Sequence, residues 1–195
     1  FTHILEGYKV ADKMKTHGVG ASTFADWWAY KYEVIDAIPY NPVIMQQMGI
    51  VTAINSDDAE MGRRLNQEAA KSVKYGGMNE HEAWKMVTIN PAKLLRIDQE
   101  TGSLKAGKSA DVVLWSENPL SIYARVQSTY VDGARLYDAA EDLQLRQSIQ
   151  AERQRLIQKS VQAKAGGAKT QPALHTPERH YHCGDDALNE LKFGE

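Results

Sequence analysis

An alternation governs the first part of this chain: a short apolar run followed by a helical pattern, three times in succession. Residues 1–5 are apolar around His3 and read as a strand. Residues 6–17 follow as a helix with Tyr8, Val10, Ala11 and Met14 on roughly one face, and Gly18 is a natural residue to end it. Residues 19–24 form the second strand-like run. After it come a loop with a helical turn at 25–39, holding Trp27, Trp28, Tyr30 and Tyr32, and a short helix at 41–48. The third run, 50–54, is compact and β-branched, and 59–75 is a strong helix pattern opened by acids and closed by Gly76-Gly77. Asn79 stands as the cap of a further helix through Thr88, with Glu82 at the capping-box position. Strands and helices in this order are the pattern of parallel βα units.

After Pro91 the texture changes. Gly102, Gly107, Asn118 and Pro119 punctuate short segments, and 110–115 reads as a strand. Two β-rich runs, 126–131 and 134–137, flank Asp132-Gly133, a strong signal for a two-residue type I′ hairpin. Residues 139–163, rich in Gln, Arg, Glu and Leu, read as a polar helix. A flexible Gly/Ala/Lys stretch at 165–170 leads into a polar tail.

Composition narrows the partners. Hydrophobic residues make up 43% and charged residues 25%, as in an ordinary globular protein, and the formal net charge of −2 offers no basic surface for nucleic acid. No polybasic block points to a membrane surface, and no apolar run approaches the roughly 20 residues of a spanning helix. The single cysteine, Cys183, rules out an internal disulfide. The compartment stays open, and a homo-oligomer is allowed. The chain opens at Phe1 directly in a strand-like run without a signal pattern, which reads as a truncation.

His3 and Asp57 each fall at the C-terminal end of an expected parallel strand, the end at which βα barrels build active sites. Imidazole and carboxylate are both good zinc ligands, and a carboxylate beside a metal can take a proton from water. The local readings are simpler. A lone histidine at a strand end is often structural, and a Ser-Asp-Asp before a helix is often an N-cap, for Asp58 more than for Asp57. Trp27 and Trp28 either line a substrate pocket or pack as core. His180-Tyr181-His182-Cys183 has metal-ligand residue types but reads as a polar tail.

An ordered set of segments resembles the amidohydrolase superfamily, in particular its imidazolonepropionase-like branch. Thr2-His3-Ile4-Leu5-Glu6-Gly7-Tyr8-Lys9-Val10-Ala11-Asp12 is similar to the sixth barrel strand and the following helix, and Val51-Thr52-Ala53-Ile54-Asn55-Ser56-Asp57-Asp58 to the eighth strand. Thr88-Ile89-Asn90-Pro91-Ala92 resembles the segment that follows the barrel. Gly102-Ser103-Leu104-Lys105-Ala106-Gly107 through Asp111 resembles the entry into the closing β-domain, and Val131-Asp132-Gly133 its terminal hairpin.

The resemblance implies an α/β fold: an incomplete (β/α)8 TIM-barrel, its last three βα units, with part of a small β-sandwich and a C-terminal helix. The expected divisions are 1–95 for the barrel portion, 96–138 for the sandwich segment, 139–164 for the polar helix and 165–195 for the tail. It implies a hydrolase of C–N bonds in amide or cyclic amide substrates, with metal-activated hydroxide attacking the carbonyl. Asp57 would be the catalytic proton shuttle, His3 and Asp57 metal ligands, and Trp27 and Trp28 substrate-binding. The cofactor would be a divalent metal, zinc foremost, as one or two ions. The remaining family ligands, a His-x-His pair on strand one, a strand-five histidine and in many members a carboxylated lysine, have no counterpart here, so the chain alone is expected to lack a complete site. The competing reading is a non-catalytic scaffold of the same architecture acting through protein association. An open arc of strands would also leave strand edges unpaired.

Overall fold

Two three-residue strands carry the geometry of the site. In the computed structural model, which describes residues 1–25, 27–29, 31–169 and 171, β1 (Ala21–Thr23) and β2 (Thr52–Ile54) pair in parallel, with Ala21 opposite Thr52 and Thr23 opposite Ile54. Parallel pairing requires a crossover, and the crossover here includes α2 (Asn41–Gln47), with proline at its start where a missing N–H is harmless. Ahead of β1 lies α1 (Ala11–His17), ended by Gly18 in the left-handed region. After β2 come α3 (Ala59–Gly62), α4 (Leu65–Gly76), α5 (Glu80–Lys85) and α6 (Ile89–Leu95). Met14, Ala21, Met45 and Ile50 form one buried cluster, and Val43, Ile54, Met78 and Met86 a second.

Three local features depart from the sequence reading. Residues 1–5 do not form a strand. They lie along β1, with the Ser22 N–H donating to the Phe1 carbonyl at 2.9 Å and the Ile4 N–H to the Ser22 carbonyl at 3.0 Å. Between these two bonds His3 adopts φ 59°, which interrupts the extended run. The helix expected over 59–75 breaks between α3 and α4, where Arg64 leaves the helical region. The helix capped by Asn79 ends at Lys85; Glu82 accepts from Lys85 at 2.6 Å and Gln46 at 3.3 Å, while Asn79 caps through the His81 N–H.

The outer edge of β2 is covered rather than open. The Ile54 N–H donates to the Met86 carbonyl at 3.0 Å, and the buried Asn90 amide donates to the Thr52 carbonyl at 2.8 Å. A side chain from the α6 segment thus occupies a place where a further strand would bond.

The second sheet is an antiparallel meander of β3 (Val112–Trp115), β4 (Val126–Val131) and β5 (Ala134–Asp138). Asp132 and Gly133 turn between β4 and β5 with φ of 49° and 79°, as a type I′ turn demands. Asp138 then caps α7 (Ala139–Ala165) by accepting from the Ala140 and Glu141 N–H groups. This helix ends two residues later than expected and buries no residue. The His180-Tyr181-His182-Cys183 motif lies outside the described residues.

Candidate functional site

His3 and Asp57 come together. Their side chains, from the segment beside β1 and the loop after β2, meet with Nε2 2.9 Å from Oδ2 and 3.1 Å from Oδ1. The parallel register brings the C-terminal ends of β1 and β2 side by side, and the Asn55 N–H bonds to the Thr23 carbonyl at 3.0 Å, extending that register toward Asp57. Asp58, one residue later, turns away. Its carboxylate accepts from the Glu60 and Met61 N–H groups at 2.8 and 3.0 Å and caps α3.

Magnitudes separate structure from function here. The His3 side chain is 47% exposed and that of Asp57 26%, so their contact is a surface pair of up to about 1 kcal/mol. The left-handed backbone of His3 costs about 1–2 kcal/mol for a residue with a Cβ. Stability does not account for the arrangement, and strain of this kind concentrates at functional sites.

Other contacts hold the imidazole. Phe24 meets it in a T-shaped arrangement with centroids 5.1 Å apart at 73°, and Phe24 stacks on Trp27 at 4.2 Å and 10°. Trp27 Nε1 donates to Met61 Sδ at 3.0 Å. Trp28 donates to the Ala25 carbonyl and stands edge-on to Tyr75. Both tryptophans therefore pack, and both also line a cavity of about 1000 Å³ with Met61, Arg64, Lys71 and Leu120. Phe24, Thr2 and Ser22 are contributors that residue type alone did not single out. Thr2 Oγ1 lies 2.9 Å from His3 Nδ1 and 3.0 Å from Ser22 Oγ.

Among the described residues no group of three or more His, Cys, Asp or Glu side chains is placed to hold a metal ion. His3 and Asp57 are the right donor types for zinc, and they supply two of the four positions such an ion fills.

Residues 42–136 match the model of the amidohydrolase family, with Asp57 inside the matched stretch and His3 ahead of it. This stretch belongs to an amidohydrolase-family domain. The chain is 33% identical over 116 residues to amidohydrolase tasK of Hapsidospora irregularis, covering 59% of this chain and 12% of that protein. It is 26% identical over 101 residues to imidazolonepropionase of Picrophilus torridus, covering 49% and 26%. Among solved structures, an amidohydrolase from Thermotoga maritima superposes with TM-score 0.65 at 26% identity, over 70% of this chain and 36% of the other. An adenosine deaminase from Xanthomonas campestris, solved with bound zinc, shares the fold at TM-score 0.51 and 16% identity, over 77% and 41%. The chain therefore spans about a quarter or less of the length of the curated relatives it matches.

Proposed function

We propose that this amidohydrolase-family chain forms part of a metal-dependent hydrolase acting on C–N bonds of amide or cyclic amide substrates. Residues 1–95 belong in this reading to the barrel portion and 96–138 to the closing β-sandwich, followed by the helix and the tail. The observation that carries it is the meeting of His3, from the non-strand segment beside β1, with Asp57, from the loop after β2, near the C-terminal end of this parallel pair, the face on which barrel enzymes place their chemistry. His3 and Asp57 would hold a divalent ion, zinc foremost, together with ligands outside the described residues. Such an ion, when bound, supplies polarisation of the substrate carbonyl and acidification of a water.

The remaining steps fall to the chain itself. The Asp57 carboxylate takes the proton from the attacking water and delivers it to the leaving nitrogen, the work of a general base turned general acid. The Phe24–Trp27 stack holds the imidazole face of the site and excludes water from one side. Trp27, which stacks on Phe24, and Trp28 line a cavity that His3 and Asp57 do not themselves line, and would contact the apolar part of the substrate there. The test is turnover of amide and cyclic amide substrates by the protein as its cell makes it, before and after chelation. Activity lost with the metal and restored by zinc is the expected result. Full activity after complete metal removal, or no turnover of any amide, overturns the reading.

A further inference from the structure

Four side chains form a single hydrogen-bonded row across the edge of the first sheet: Ser22, Thr2, His3 and Asp57. Its direction follows from donor chemistry. A neutral imidazole carries its hydrogen on one nitrogen and accepts on the other. An ionised carboxylate only accepts, so the nitrogen facing Asp57, Nε2, carries the hydrogen. Nδ1 is then the acceptor, and the partner at 2.9 Å that can donate to it is the Thr2 hydroxyl. With its own hydrogen committed, Thr2 Oγ1 accepts from the Ser22 hydroxyl at 3.0 Å.

The same residues also bracket the strained backbone. Ser22 accepts from the Ile4 N–H and donates its N–H to the Phe1 carbonyl, so its main chain grips the segment on either side of His3 while its hydroxyl reaches Thr2 between them. Residues held in the left-handed region persist where their surroundings over-determine them, and here one residue of β1 does so.

We infer that Thr2 and Ser22 are positioning residues for His3: Asp57 sets which imidazole nitrogen carries the hydrogen, and the two hydroxyls engage the other nitrogen and aim the ring at Asp57. The row can run in reverse only when Nε2 no longer faces Asp57. If each hydroxyl rotates, Nδ1–H donates to Thr2, Thr2 donates to Ser22, and Nε2 presents a bare lone pair. That second arrangement is the one a divalent ion requires of a histidine ligand, whose other nitrogen is held by a hydrogen bond in the second layer of contacts. The hydroxyl row therefore supports both states of His3, one turned to Asp57 and one open to a ligand. The inference rests on His3 being a site residue, and it needs no turnover to be examined.

The experiment is nitrogen NMR of the uniformly ¹⁵N-labelled protein, with the His3 signals assigned by their loss in His3→Gln. In the metal-free parent, His3 shows the Nε2–H tautomer as the dominant form. Thr2→Val keeps the shape and removes the hydroxyl; Nε2–H stays dominant because Asp57 sets it, while the Nδ1 signal shifts toward that of an imine nitrogen without a hydrogen-bond donor. Thr2→Ser restores the parent signature, and Ser22→Ala shifts the Nδ1 signal part of the way. Unchanged backbone amide signals in β1 and β2 confirm that the variants fold. An unaltered His3 signature in Thr2→Val, or a parent that is mainly Nδ1–H, overturns the inference. Neither result bears on whether the protein hydrolyses amides, so the two readings fail separately.

Discussion

His3 and Asp57 stand 54 residues apart in the chain, and one nitrogen of His3 lies within hydrogen-bond distance of both oxygens of Asp57. The pair is too exposed to hold the fold together, and His3 reaches it from a left-handed backbone.

The first prediction follows from that balance. Replacing His3 with Gly relieves the backbone and forfeits only a surface contact, while adding freedom to the unfolded chain. Relief of the backbone is worth about 1–2 kcal/mol, and the lost contact and the added unfolded-state freedom each oppose it by about 1 kcal/mol or less, so stability should stay within about 1 kcal/mol of the parent. Turnover and metal affinity should collapse. Chemical denaturation beside a turnover assay measures both; a loss above about 2 kcal/mol would make His3 a structural keystone instead.

Asn41 is the opposite case. It is 2% exposed, accepts from the Tyr8 N–H at 2.8 Å, and donates to the Ile4 carbonyl at 2.7 Å and to Thr23 Oγ1 at 3.1 Å. It thus ties the segment bearing His3 to β1 and α2. Asn41→Ala leaves those partners without their protein ligand, and should cost about 2–4 kcal/mol at about 1–3 kcal/mol for each buried group stranded. Thermal unfolding reads this directly. A change below about 1 kcal/mol would mean that water replaces the amide.

Gly102 opens the segment that resembles the entry to the closing β-domain. Its φ is +84°, and a Cβ there would stand 2.7 Å from Ala92 Cβ and 3.1 Å from the backbone at Thr88 and Ile89. Backbone cannot swing aside as a side-chain tip can. Gly102→Ala should therefore destabilise by more than the roughly 1 kcal/mol of left-handed strain alone. Gly107→Ala, with φ +91° and open space around it, should show the strain term only. Equal losses at the two positions would remove the steric part of the argument.

These residues also mark what the sequence could reveal. The Asp132-Gly133 turn, the Asp58 cap and the left-handed end of α1 at Gly18 are local events, decided by residues within a few positions, and all were legible. The parallel pairing of β1 and β2 followed from strand–helix alternation. The meeting of His3 with Asp57 spans too much chain for any local pattern; their places at the ends of two expected parallel strands pointed to it, and the family resemblance added the shared metal. The Ser22–Thr2 contact and the Asn90 cover on β2 were not foreseen, because small polar residues look alike until the fold brings them to a partner. Residues 1–5 misled because apolar composition suggests a strand, whereas His3 bends the backbone away from one.

The start of α7 should respond to acid. The Glu141 N–H, and after it the Ala140 N–H, bond to the Asp138 carboxylate and hold its pKa below the ordinary aspartate value, with Arg135 assisting. A carboxyl depressed in the folded state stabilises it fully above the ordinary value near about 4, and that contribution is lost as pH falls through the lower folded value. Amide hydrogen exchange at Ala140 and Glu141 should accelerate across that acid window, beyond the intrinsic pH dependence of exchange. Asp138→Asn, which keeps a capping oxygen, should remove the added dependence. An unchanged response in that variant would place the acid transition at another group.

The last prediction sets two adjacent aspartates against each other. Asp57 faces His3, while Asp58 spends one oxygen on the Glu60 and Met61 N–H groups. Replacing either with Asn preserves size. At Asp57 it removes the proton acceptor, and turnover should fall by a factor on the order of a hundred or more, the scale of general acid–base catalysis. At Asp58 the amide oxygen still caps α3, because Asn serves at that position about as well as Asp. Activity should then stay within about threefold of the parent, the scale of a change under 1 kcal/mol. Circular dichroism should leave both variants folded, and metal analysis should show occupancy reduced in Asp57→Asn alone. The contrast is sharp because the two residues share sequence neighbourhood and charge and differ in what they touch. An inactive Asp58→Asn beside an active Asp57→Asn would shift the chemistry one residue along the loop. Two active variants would leave the His3–Asp57 contact without a catalytic role.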